Sequence, residues 1–380
     1  MASAVSAALL LAASLCLAGC ISPRGEEARE LLVDIAAGDG PSRLKETTPE
    51  PSRLTISYRR SGGAATADLY RSSAPPNGAV VVVPGLTPDG KDDPRLIAFA
   101  KSLARARFLV LVPDIANTRA LKVSAADSIF IADAIEELAQ RFAAGTERSV
   151  GLVAISYAVG PALLAASHAP ADHHVGFIVA IGGYYDIEAA IGFVTTGYYR
   201  APDGSWRHAT PGEWGKWIFL RSNADRVTDW PDRDRLRKIA DRKLANATAE
   251  IADLVAPLGP EGRAIYELIA NRDPERVPAL LARLPEAIRR ELRRLDLKGR
   301  DLSTLAGPVL LIHGEDDAVI PYTQSIKLAA AVGARAELFV VDRFAHVDAG
   351  AIGFGDSLRL WNAAVRVLEE RDRGPAAAAP

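Results

Sequence analysis

Two periods of apolar spacing take turns along the chain. Residues 54–60 and 65–71 alternate residue by residue, the period of strands with one wet face. Ser61-Gly62-Gly63 between them has the chemistry of a hairpin turn. Residues 79–83 (Ala-Val-Val-Val-Val) are instead apolar throughout and rich in β-branched side chains, as a strand buried on both faces of a parallel sheet requires. Similar runs at 108–112, 150–155, 176–181, 309–312 and 338–341 predict further strands. Helical spacing at 94–105, at 125–142, after residue 156, at 322–332 and at 357–371 predicts helices between and after them. This βαβα rhythm predicts an α/β fold with a doubly wound, mostly parallel sheet.

The rhythm stops after Asp186 and resumes at residue 303. The interval holds an apolar, aromatic segment (187–199), a tryptophan-rich stretch expected as a loop (Trp206, Trp214, Trp217) and charged helical runs over 232–296. Because the sheet resumes afterwards, residues 187–302 are expected to form a helical cap inserted into a core made of 51–186 and 303–373. At the start, 26–37 has helical spacing. The polar, proline-bearing stretch after it makes 20–50 read as a tether. The alanine–proline tail, 374–380, is expected to be disordered.

Bulk composition narrows the possibilities. A chain of 380 residues can bury a sizeable core. Its formal net charge of -2, with both signs interspersed, excludes an electrostatic footprint for nucleic acid. No period of 20–50 residues recurs, which argues against a solenoid or propeller. The only two cysteines are Cys16 and Cys20, both in the N-terminal apolar stretch. Residues 1–18 have the length of a signal h-region rather than of a membrane span. Leu17-Ala18-Gly19-Cys20 resembles the lipobox of bacterial lipoproteins, although the n-region lacks Lys or Arg. The resemblance implies a signal peptide over 1–19 and acylation of Cys20. With Ile21 next, it also implies an outer-membrane address facing the periplasm; secretion to the periplasm is the alternative. A mature chain so processed has no free thiol, which excludes disulfides, thiolate metal sites and a cysteine nucleophile.

The chemistry centres on Ala154-Ile155-Ser156-Tyr157-Ala158, where the apolar run 150–155 meets a serine and an alanine-rich helix follows. A serine on a sharp strand-to-helix turn stands above the sheet edge, in reach of a base and of free helix N–H groups. Alanine fills both small positions of the G-x-S-x-G elbow pattern, and Pro161 falls near the first helical turn, where its missing N–H costs little. Open α/β sheets bind ligands beyond the carboxyl ends of their strands. Two other such ends carry functional groups: His313-Gly-Glu-Asp-Asp317-Ala-Val-Ile-Pro321 and Phe344-Ala-His346-Val347.

The order Ser, Asp, His at these ends resembles the α/β-hydrolase superfamily over roughly residues 54–371. Residues 313–321 are similar to its H-G-x-x-D-x-x-V-P stretch. The resemblance implies Ser156 as nucleophile, His346 as base and Asp317 as the acid. Asp316, one residue out of register, and Asp186, after the strand 176–181, are the alternatives for the acid. The backbone N–H groups of Leu86 and Tyr157 would form the oxyanion hole, although Pro84-Gly85 stands where many relatives have His-Gly. The expected activity is hydrolysis of a carboxylic ester or thioester through an acyl-enzyme, with an apolar small-molecule substrate and no cofactor. Acyl transfer and amide or C–C hydrolysis use the same triad. A non-catalytic envelope lipoprotein keeping the fold is the contrasting alternative. A dinucleotide-binding protein fails for want of G-x-G-x-x-G after the first buried strand.

The other candidate groups have plainer readings. His313 is expected to hold the acid loop. His168, His173 and His174 lack the spacing of a metal site, so they read as a solvated loop and no metal is expected. His208 in the cap points to no role. Asp114 reads as a turn cap at the rim, and the cap aromatics serve equally as a binding wall or as packing.

Overall fold

The structure is a computed structural model describing residues 22–142, 149–168, 174–342, 344–345, 348–349 and 354–373. Its strands are β1 (Ser52–Arg60), β2 (Gly63–Arg71), β3 (Gly78–Val83), β4 (Phe108–Pro113), β5 (Val150–Ile155), β6 (Val175–Ile181), β7 (Tyr198–Arg200), β8 (Trp206–His208), β9 (Val309–Gly314) and β10 (Ala336–Val341), followed by a two-residue antiparallel pair, Phe344–Ala345 with Asp348–Ala349. Eight of them form one sheet in the order β1-β2-β4-β3-β5-β6-β9-β10. β2 runs antiparallel to both β1 and β4, and every other neighbouring pair is parallel.

The valine run of β3 explains the layering. Successive side chains on a strand point to opposite faces, so four consecutive valines need a hydrophobic layer on each side. Val80 and Val82 pack with Leu96 and Leu103 of helix Pro94–Arg105 and with Leu368 of helix Phe354–Asp372. Val81 and Val83 pack with Ile131 and Ile135 of helix Asp127–Phe142 and with Leu163 of helix Val159–Ala166. The chain after β3 crosses to β4 on one face, and the chain after β4 crosses to β5 on the other. The order therefore reverses at β3, and a crevice opens at the carboxyl ends of β3 and β5.

Residues 187–302 lie between β6 and β9 and carry seven helices together with the antiparallel hairpin β7–β8. The last cap helix, Glu286–Leu295, buries Ile288, Leu292 and Leu295 at helical spacing and turns its arginines outward. The tryptophan-rich stretch is not a loop. Trp206 lies on β8, while Trp214 and Trp217 lie on helix Glu213–Ala224. Trp217 and Leu220, one turn apart, are both buried, so the aromatic residues supply the apolar stripe of a helix.

The stretch expected as a tether is, over its described part from residue 22, docked on the core. Helix Pro23–Ala37 buries Ala28 and Leu31 in the same layer as Leu96 and Leu368. Asp34 is fully buried; its carboxylate accepts from the hydroxyl of Ser42, from Ser102 Oγ at 2.6 Å and from Lys45 Nζ at 2.7 Å. Of the polar residues that suggested a solvated arm, Ser42 and Lys45 are hydrogen-bonding partners of this buried carboxylate, while Asp39, Arg43, Glu46, Thr47 and Glu50 stay exposed. The tail 374–380 lies outside the described residues.

Candidate active site

β5 ends at Ile155, and the chain turns through Ser156–Ala158 into helix Val159–Ala166. Ser156 has φ 57°, the left-handed region that L-residues enter at a cost of order 1–3 kcal/mol. Ala154 and Ala158 are buried, at the tight passage between strand and helix. Glycine is required elsewhere around the turn. A Cβ on Gly160 would lie 2.0 Å from Tyr184 Oη, and one on Gly183 would lie 2.5 Å from Val159. The close approach of helix to sheet thus uses glycine at 160 and 183 instead of at the elbow's own small positions.

The loop after β3 meets this turn because β3 and β5 are neighbours, with Val83 opposite Ala154. A Cβ on Gly85 would come within 3.3 Å of Ser156 Cβ and of the Ile155 carbonyl. A side chain here would press on the serine, and the neighbours would have to give by a few tenths of an ångström. Leu86, Ser156 and Tyr157 line one cavity of about 120 Å³, walled chiefly by cap side chains such as Ile191, Phe219 and Leu295. Val319 and Ile320 of the loop after β9 border the same cavity.

Asp317 fixes that loop. It is buried, and its Oδ1 accepts the N–H groups of Val319 at 2.7 Å and Ile320 at 2.9 Å. Its Oδ2 lies 3.3 Å from His313 Nε2, which also lies 2.9 Å from the Ile320 carbonyl. Nε2 therefore faces two acceptors and carries the proton, while Nδ1 accepts from Ser325 Oγ at 2.6 Å. His313 holds the loop from inside the core. Asp316 is exposed. Asp186 caps helix Ile187–Thr196 by accepting the N–H of Ala189 at 3.0 Å, and it pairs with Lys298 at 3.1 Å. It lines a separate crevice, with Tyr198 and Lys327. His346, Cys20 and His173 lie outside the described residues.

One cluster escaped the sequence reading. The Tyr157 hydroxyl lies 3.0 Å from Asp127 Oδ2 and 2.9 Å from the Ser124 carbonyl, and it accepts the Ser124 N–H at 2.7 Å. Burial pushes this phenol well above its usual range, so it remains a donor. Burial likewise raises the Asp127 carboxyl to about 6, opposed by hydrogen bonds from Asn117 and Tyr157 and aided by the charge of Glu291. The same segment is gripped by the cap. Val123 N–H donates to Ser222 Oγ at 2.7 Å, the Val123 carbonyl accepts from Arg226 at 3.0 Å, and Ala125 N–H donates to Glu291 at 2.7 Å. Cap and elbow are thereby joined through residues 123–127. No local spacing signals this, because the partners are 30 to 166 residues apart.

The remaining candidates take structural or peripheral places. His168, just past the end of helix Val159–Ala166, contacts the Leu164 carbonyl of that helix. His208 packs on Tyr198 with ring centroids 4.8 Å apart. Asp114 pairs with Arg119 at 3.3 Å. Among the described residues no group of three or more His, Cys, Asp or Glu side chains could hold a metal ion.

No protein-family model matches this chain, and no curated protein matches it. Solved structures do. A candidate hydrolase from Legionella pneumophila is 12% identical, with 88% of this chain and 94% of that one covered at a TM-score of 0.54. A point mutant of the rice cell wall degrading esterase LipA from Xanthomonas oryzae is 16% identical, with 83% and 89% covered at a TM-score of 0.51. Identities this low speak to the fold. Together with the strand order they define an α/β-hydrolase fold, the fold that the sequence resemblance implied.

Proposed function

We propose that the protein is a serine hydrolase that cleaves a carboxylic ester, or a thioester, with an apolar acyl or alcohol part. One observation carries the reading: Ser156 is held in a left-handed conformation at the carboxyl end of β5, against Gly85-Leu86 and under an apolar cavity. An ordinary turn serine would relax from that conformation or be replaced by glycine.

In this reading His346, which follows β10 in the chain, accepts the Ser156 proton as Oγ attacks the substrate carbonyl. Asp317 holds the imidazole in the reactive tautomer and stabilises its charged form. The N–H groups of Leu86 and Tyr157 receive the developing oxyanion. Collapse of the tetrahedral species breaks the bond to the alcohol or thiol, which leaves with the proton from His346. Water then attacks the acyl-enzyme by the same steps in reverse roles. The protein would be held to the outer membrane by acylation of Cys20. Several acyl chains on one residue anchor stably, whereas a single chain binds only marginally.

The test is hydrolysis of p-nitrophenyl esters by the purified protein and by Ser156→Ala. Turnover by the native protein and its loss in the variant are expected. Undiminished turnover by the variant contradicts the mechanism.

A further inference from the structure

The first described helix leaves almost no slack before Cys20. Ser22 is its N-cap, with Oγ accepting the Gly25 N–H at 3.1 Å. The Gly25 carbonyl accepts the Trp361 indole N–H at 2.8 Å, Arg24 pairs with Asp372, and Glu27 pairs with Arg371. The start of the helix is therefore pinned beside the stretch 361–372 of the last helix.

The course of that last helix fixes where the pinned point lies. Near its beginning, Asp356 accepts the N–H of Asp342, just past the carboxyl end of β10, at 3.0 Å. Near its end, Arg371 donates to the Ala106 carbonyl at 2.6 Å and abuts Gly78, where a Cβ would lie 2.8 Å from its Cγ. Gly78 is the first residue of β3. The helix thus descends from the carboxyl edge of the sheet to the amino edge, and the first turn after Ser22 is held between its middle, at Trp361, and its lower end, at Arg371 and Asp372. Ser156 stands at the opposite edge. The cap over it packs with the helices of the other sheet face, whereas Ala28 and Leu31 belong to the layer containing Leu368. The six residues of β3 alone span about 20 Å from edge to edge.

We infer that the anchored protein keeps its reaction site turned away from the bilayer that carries it, so that its substrate arrives from the aqueous side and is not a lipid of the same leaflet. The inference rests on the reading of Cys20 as the acylated residue. Only Ile21 separates Cys20 from Ser22, and two residue steps reach about 7 Å at most. Laying the carboxyl edge on the headgroups would require at least about 10 Å, the rise from Trp361 to the start of the last helix, which is more than the tether spans. A long flexible arm would let the body turn over, and the docked helix removes it.

The experiment uses the full chain, acylated in a Gram-negative host and reconstituted into phosphatidylethanolamine–phosphatidylglycerol vesicles. Cys16 and Cys20 are the only cysteines, so after processing a single introduced cysteine is the only free thiol. One variant is Arg373→Cys, just past the last helix. The other is Trp230→Cys, at the start of the cap helix Trp230–Ala245, where the native side chain is exposed. Each is labelled with bimane and challenged with a headgroup-nitroxide lipid. Loss of most emission at 373 with retention at 230 is the expected result. Equal quenching, or stronger quenching at 230, overturns the orientation. Incorporation of radiolabelled palmitate, abolished by Cys20→Ser, is read in parallel. Absence of palmitate overturns the anchor reading and the orientation with it. Palmitate with reversed quenching overturns the orientation alone. Neither readout uses Ser156, so the hydrolase reading is tested separately.

Discussion

The hydroxyl of Tyr157 lies 3.0 Å from the carboxylate of Asp127, beneath the cavity that holds Ser156. In the proposed mechanism Tyr157 follows the nucleophile, and its backbone N–H would be an oxyanion donor. Through it, the segment that the cap grips is tied to the elbow. Tyr157→Phe would leave the Ser124 N–H and Asp127 without this partner in a buried site. A loss of about 1–3 kcal/mol in unfolding free energy is expected, together with lower turnover. Urea denaturation and ester hydrolysis measure the two effects.

Asp127 gives a pH signature. Its carboxyl is raised from an ordinary 3.8 to about 6, so the folded state binds this proton more tightly than the unfolded chain does. Its stabilising contribution is complete below about pH 4 and is lost as pH rises through 6, amounting to about 3 kcal/mol. Asp127→Asn keeps an acceptor for Asn117 and removes the titration. The variant should match the native protein near pH 4 and exceed it by about 2–3 kcal/mol at pH 8. Denaturation curves across that range check this, and parallel pH profiles for the two proteins would contradict it.

Ser156 separates reactivity from stability. Its left-handed backbone is strained for any residue with a Cβ, so Ser156→Gly should raise stability by about 1 kcal/mol after the entropic cost of glycine. Ser156→Ala should not. Both variants should lose ester hydrolysis. Paired thermal and chemical denaturation of the two proteins supplies the comparison.

The three acids are expected to differ in kind. Asp317→Asn keeps the one oxygen that accepts the Val319 and Ile320 N–H groups but cannot stabilise an imidazolium, so turnover should fall roughly 10³–10⁴-fold with the fold intact. Asp316→Asn, at an exposed position, should leave turnover unchanged. Asp186→Ala removes a helix cap and should cost about 1 kcal/mol of stability with little effect on the chemical step. Steady-state kinetics beside denaturation tell these apart.

The sheet was legible because a strand buried on both faces must be apolar at every position, and β3, β4 and β5 meet that demand. The elbow was legible as a serine at the end of such a strand. What escaped depended on partners far away in the chain. Asp34 and Ser102 look like polar surface residues until the fold places their side chains 2.6 Å apart. Tyr157 and Asp127, 30 residues apart, share no motif. The alanines of the elbow become intelligible only with Gly160 and Gly183, which provide the clearance beside Tyr184 and Val159. The cap tryptophans read as a loop because aromatic density hid the helical period of Glu213–Ala224, on which Trp217 packs inward and Trp214 borders the cavity beside Ser156.

The most direct test of the central claim is labelling of the purified protein with a fluorophosphonate probe, mapped by mass spectrometry, with Ser156→Ala as control. The account predicts one adduct, on Ser156, absent from the variant. A well-folded protein that takes up no probe at Ser156, even with the cap shortened to admit it, would contradict an activated serine at this site.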